Sequence, residues 1–282
     1  MRWRGERQST NVEDRRGLGG KGMAVGGGLG TLVLLALTLL LGGDPRQLLE
    51  QTQPGPGGDG QTSARQPPPQ DEQGQFVRAV LGSTEDIWGE IFRQNREQYR
   101  QPGLVLFEGR TPTACGTGST AVGPFYCPGD NKVYIDLSFF RDLEQKFRSP
   151  GDFAQAYVIA HEIGHHVQNV LGTMDQVNAQ QGRARGAAAN DLSVRLELQA
   201  DFYAGVWAHY AERRNMIEPG DVEEALRAAS AIGDDRLQMQ GQGYVVPDSF
   251  THGTSEQRAR WFRRGYETGD IRQGDTFRVR AP

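Results

Sequence analysis

Three of the chain's five histidines lie within six residues, in the stretch AYVIAHEIGHHVQNVLG (Ala156–Gly172). His161 and His165 are four residues apart, so on a helix they stack on one face and their imidazoles can converge. Glu162 lies one position further round and reaches a place beside any ion held there. This is H-E-x-x-H, the pattern of two zinc ligands and a general base that deprotonates the attacking water. Ile159, Ile163, Val167 and Val170 give the same helix a core-facing set, and Gly164 leaves room for a close approach. His166 is rotated by about 100° from the ligand face and is expected to pack or hydrogen-bond, not ligate.

A third ligand is needed, and DLSVRLELQADFYAGVWAHY (Asp191–Tyr210) offers one. Glu197 and Asp201 share a helical face. Placed against the first helix, Glu197 completes the ligand set, and Asp201 accepts the Nδ1–H of a ligand histidine and fixes its tautomer. Three protein ligands leave a fourth position open, which marks a catalytic centre, not a structural one. The imidazole–carboxylate donor set suits Zn2+, and also cobalt or manganese. A peptidase also needs a donor for the oxyanion formed as water attacks the carbonyl. His252, in the loop SFTHGTSEQR (Ser249–Arg258), is the candidate, with Arg258 ordering the loop; the alternative is a plain histidine at a helix start. Tyr203 is a weaker candidate that reads better as core, and His209 reads as packing.

The elements that must carry these residues follow from periodicity. Apolar positions from Val77 to Phe92 predict a helix over 76–95. GLVLFEG and GPFYCPGDNKVYIDL read as strands, with Pro128–Asn131 turning a hairpin. Helices are expected over 138–147, 152–171, 191–214, 219–233 and 255–266, the last opened by a capping box from Thr254 to Gln257. The hairpin before the metal helix is either a plain structural element or an edge to which a substrate adds as a strand.

Cys115 and Cys127 are the only cysteines. With no histidine between them they make a poor zinc pair, and in an oxidising compartment they would form one disulfide; two buried free thiols are the alternative.

Net charge is −4, but residues 1–43 carry six Lys/Arg against three acids. The rest is acidic, which argues against nucleic-acid binding. Met23–Gly43 has 21 residues without a charge. About 20 suffice to span a bilayer, and the basic flank places the N-terminus in the cytoplasm. No A-x-A site follows, so an uncleaved single-pass anchor is expected in place of a signal peptide. Residues 51–75 are rich in Gly, Pro and Gln and read as a tether. The expected organisation is a cytoplasmic basic tail (1–22), a transmembrane anchor (23–43), a linker (44–75), a metallopeptidase domain (76–272) and a C-terminal tail (273–282). The domain would then sit on the periplasmic or outer face of a bacterial cytoplasmic membrane.

Several segments together carry a family resemblance. STNVEDRRG (Ser9–Gly17), GPFYCPGDNKVYIDLSFF, HEIGHHVQ, LELQADFYAGVWA and PDSFTHGTSEQRARWFRRG resemble the bacterial neutral zinc metallopeptidase family, and H-E-x-x-H with a downstream E-x-x-A-D is similar to the thermolysin-like gluzincins. The loop at His252 also resembles the HPP…R segment near the active site of related membrane zinc proteases. The resemblance implies zinc at His161, His165 and Glu197, with Glu162 as base, in an α+β, mostly helical zincin-like domain with a small β-hairpin or sheet. The expected activity is hydrolysis of peptide bonds in envelope proteins or peptides. The competing class is a non-catalytic, metal-stabilised envelope interaction module.

Overall fold

The structure, a computed structural model, describes residues 1–17, 71–120, 123–280 and 282. The expected anchor at 23–43 lies outside the described residues, and among those described no helix is long and apolar enough to cross a membrane. The fold is mixed α+β and mainly helical, as expected. Asp71 caps the first helix, α1 (Glu72–Gln94), by accepting the Gly74 N–H at 3.0 Å. The domain therefore starts ahead of the expected Phe76. Residues 72–75 look like linker by composition, and only the cap distinguishes them.

A four-stranded sheet follows, in the order β1 (Val12–Asp14), β2 (Gly103–Phe107), β6 (Lys132–Asp136), β5 (Phe125–Cys127). The first three strands run parallel and β5 runs antiparallel to β6 across the expected turn. The sequence NKVYIDL is thus an interior strand, and among the described residues the sheet's edges are β1 and β5. A separate hairpin, β3 (Arg110–Thr113) and β4 (Gly116–Ser119), was not foreseen. Cys115 at its tip is disulfide-bonded to Cys127 at the end of β5, so the expected pairing is present and braces that edge strand.

The helices are α2 (Ser138–Gln145), α3 (Asp152–Val170), α4 (Thr173–Gln181), α5 (Ala187–Arg213), α6 (Asp221–Ala231), α7 (Asp234–Gln242) and α8 (Ser255–Thr268). The capping box at Thr254 and Gln257 is formed. α3 and α5 cross closely because neither carries bulk at the crossing: a Cβ on Gly164 would lie 2.7 Å from the Ala200 carbonyl oxygen. α5 and α8 meet backbone to backbone for the same reason. A Cβ on Gly205 would fall 2.0 Å from Phe262 O, and one on Gly265 would fall 2.0 Å from Phe202 O. Gly205→Ala is therefore expected to force these helices apart and cost about 1–3 kcal/mol or more, read as a lower midpoint in urea unfolding.

Two expected tails are part of the body. Trp3 is buried edge-on against Phe76, with ring centroids 5.6 Å apart, and β1 is the outer strand of the sheet. At the other end, the carbonyls of Thr276 and Val279 accept from Arg195 at 2.6 and 2.8 Å, and that of Gly274 accepts from Gln199 at 2.8 Å. Residues 274–279 are held mainly through their backbone, which leaves little trace in hydropathy.

Candidate metal centre and active site

His161 and His165 on α3 face Glu197 on α5. His161 Nε2 lies 3.2 Å from Glu197 Oε2, and His165 Nε2 lies 3.3 Å from Glu197 Oε1. The three donors fall within 4.8 Å of one another, and the two imidazoles are nearly perpendicular. Four ligands at zinc's usual distances sit about 3.3 Å apart along a tetrahedron's edges, so the residues present fit that ion. The donor chemistry fits equally: two neutral-capable imidazoles and one carboxylate, all three lining one cleft.

Both imidazoles are held from behind. His161 Nδ1 donates to Asp201 at 2.8 Å, as expected. His165 Nδ1 donates to Gln168 Oε1 at 2.9 Å, and Gln168 is itself fixed by donating to Leu196 O at 2.7 Å and Gln199 Oε1 at 3.1 Å. Gln168 was missed. It stands three residues after His165 on the same helix, a spacing that could have revealed it. With both Nδ1 atoms committed as donors, each Nε2 offers its lone pair toward Glu197.

Asp201 is fully buried and accepts from three donors besides. Tyr157 OH donates at 2.5 Å, and Arg258 donates through Nε at 2.8 Å and Nη2 at 3.0 Å. Arg258 Nη1 also reaches Ile232 O at 3.3 Å. This corrects the expectation that Arg258 orders the His252 loop: it enters the core and ties α8 to α5 and α3. Burial would raise the Asp201 carboxyl, but the charges of Arg258 and His161 override it and hold it down at about 2. Burial alone would likewise depress His161, yet Asp201 and Glu197 push it up to about 10, and His165 is raised against burial by Glu197. The field at the three donors strongly favours positive charge, as a cation site requires.

Glu162 lines the cleft beside the ligands and is raised by burial, against the pull of the two histidines. The cleft, about 710 Å³, is walled by Phe125 and Tyr126 of the β5 edge, Phe139 and Phe147 near α2, and Leu237 of α7, with His252 at its rim. His252 is placed by Asp234, which the sequence reading missed. The Asp234 carboxylate accepts the N–H groups of Thr251, His252 and Gly253 at 2.7, 2.6 and 3.1 Å, and His252 Nδ1 at 3.1 Å. Its only sequence signal is an acidic first turn after Gly233.

The remaining candidates fall outside the centre. His166 is fully buried: its Nε2 donates to Arg100 O at 2.6 Å and its Nδ1 faces Tyr126 OH at 3.1 Å, tying the metal helix to the β5 edge. Burial lowers it to about 4, so it stays neutral. His209 donates to Tyr266 O at 2.8 Å, and Tyr203 packs on Trp88 in the core.

A zincin-like site on this α+β body defines a class, and comparison with known proteins supplies the family. Residues 1–277 match the family described as "Putative neutral zinc metallopeptidase", and the chain belongs to it. It is 50% identical over 283 residues to the uncharacterized protein YpfJ of Escherichia coli K12, covering 98% of this chain and 99% of that one. It is 45% identical over 213 residues to the uncharacterized protein Rv2575 of Mycobacterium tuberculosis H37Rv, covering 72% of this chain and 71% of that one. No solved structure matches.

Proposed function

We propose that the protein is a zinc-dependent endopeptidase, with His161, His165 and Glu197 as metal ligands and Glu162 as general base. The observation that carries this is the convergence of two pre-oriented Nε2 atoms and one carboxylate at the floor of an open cleft, with a second carboxylate, Glu162, beside them. When bound, zinc supplies a Lewis acid that polarises the scissile carbonyl and acidifies water. Glu162 takes the proton of the attacking water and delivers it to the leaving amine. His252 donates to the developing oxyanion. The substrate backbone lies along the free edge of β5, its side chains against the apolar walls. An unfolded protein incubated with the full chain should yield internal fragments, read by mass spectrometry; release of terminal residues alone would sink the endopeptidase reading.

Because His252 Nδ1 is committed to Asp234, Nε2 carries a proton only when the imidazole is charged. The hydrogen bond to Asp234 raises His252 above its ordinary value, against burial, with help from Glu197. The donor form is therefore present at low pH and lost as pH rises through that raised value. Activity should hold past about 6.5, the usual histidine pKa, before its basic limb falls. Asp234→Asn should move that limb to lower pH, and His252→Ala should reduce kcat by about 10²–10³-fold. A pH–rate profile unmoved by Asp234→Asn would remove His252 from this role.

The finer part of the proposal is membrane association through the uncharged stretch 23–43, with envelope proteins or peptides as substrates; that stretch and the Cys115–Cys127 disulfide support it. A non-catalytic metal-stabilised module is the poorer reading, because such sites use four protein ligands and, among the described residues, only three converge here.

A further inference from the structure

The segment before the apolar stretch is built into the same body as the residues after it. Val12, Glu13 and Asp14 pair in register with Leu104, Val105 and Leu106. Glu85 on α1 is 2% exposed, and its carboxylate accepts from Ser9 Oγ at 2.6 Å, Asn11 Nδ2 at 2.7 Å and Arg7 Nη2 at 2.8 Å. All three of these donors come from the first eleven residues. Without them Glu85 would be a buried carboxylate stripped of its partners, a severe cost. Arg16 pairs with Asp71. The chain thus leaves the body and rejoins it at neighbouring points.

A chain whose two ends sit in one folded body crosses a membrane between them an even number of times, or not at all. Between residues 17 and 71 the sequence holds one uncharged apolar stretch, Met23–Gly43. Its glycine-rich first part leaves Leu32–Leu41 as the strongly apolar part, ten residues long and interrupted by Thr38. Runs of about 10–14 suit insertion without crossing. Residues 44–70 carry Asp44, Arg46, Glu50, Asp59 and Arg65 among prolines and glycines, and provide no return crossing. We infer that residues 1–17 and 71–282 occupy one compartment, and that the chain does not cross the membrane between them. This replaces the expectation of a cytoplasmic tail and an exported domain. Any membrane contact of the intervening stretch is made from the domain's own side.

The test uses the full chain in intact cells, with single cysteines at Arg4 (side chain 72% exposed) in the arm or Arg278 (89% exposed) in the body. The two native cysteines are held in their disulfide. Each variant is treated with a maleimide that cannot cross membranes, before and after permeabilisation. Gln8→Cys, also exposed, serves if Arg4→Cys lowers the unfolding temperature. Both positions should behave alike, either both labelled in intact cells or both protected until permeabilisation. Labelling of one with protection of the other would overturn the inference.

Discussion

Glu162→Gln is expected to reduce kcat for peptide hydrolysis by about 10²–10⁴-fold while leaving zinc content and thermal stability unchanged. Glu162 sits beside the three ligands but is not one of them, and it makes none of the hydrogen bonds that orient His161 and His165. Glutamine preserves its shape and removes only the capacity to accept the water's proton. Paired metal analysis and initial rates check this. Undiminished activity would move the base elsewhere, and loss of zinc would mean that Glu162 is part of the ligand set.

Arg258→Met is expected to cost about 3–5 kcal/mol of folding stability. Arg258 is 2% exposed and Asp201 is wholly buried, so removal of the guanidinium leaves a carboxylate that water cannot reach. Asp201 also holds His161 and Tyr157, and zinc affinity should fall with stability. The double variant Arg258→Met with Asp201→Asn should recover part of the lost stability, because no charge is then buried. It should not recover zinc affinity, since an amide orients the imidazole less strongly than a carboxylate. Urea unfolding and chelator competition on the three variants separate the two effects. Simple additivity of the two substitutions in stability would show that Arg258 and Asp201 do not act as a pair.

The parts of the site legible in the sequence are those fixed by local helical geometry. His161 and His165, and Glu197 and Asp201, are each four residues apart, and α3 and α5 needed only to meet. Gly164 against Ala200 is the contact that lets them. Asp234 was not legible because it reaches His252 across eighteen residues and two elements. The inward course of Arg258 depends on how α8 crosses α5, which the sequence alone does not reveal. The same division holds for the fold. α3 and α5 carry long buried faces, whereas α4 buries only Val177 and reads as polar loop. β1 (VED) and β3–β4 (RTPT, GTGS) are short and lack alternating apolar residues, so pairing partners define them and hydropathy does not.

The most direct test of the account is zinc-dependent cleavage of an unfolded protein by the full chain, stripped with chelator and then given back one equivalent of zinc. The account predicts that cleavage disappears on stripping, returns at one equivalent, and returns in neither Glu197→Ala nor Glu162→Gln. Cleavage that survives stripping, or one tightly bound zinc in the wild-type chain without any cleavage, would contradict it.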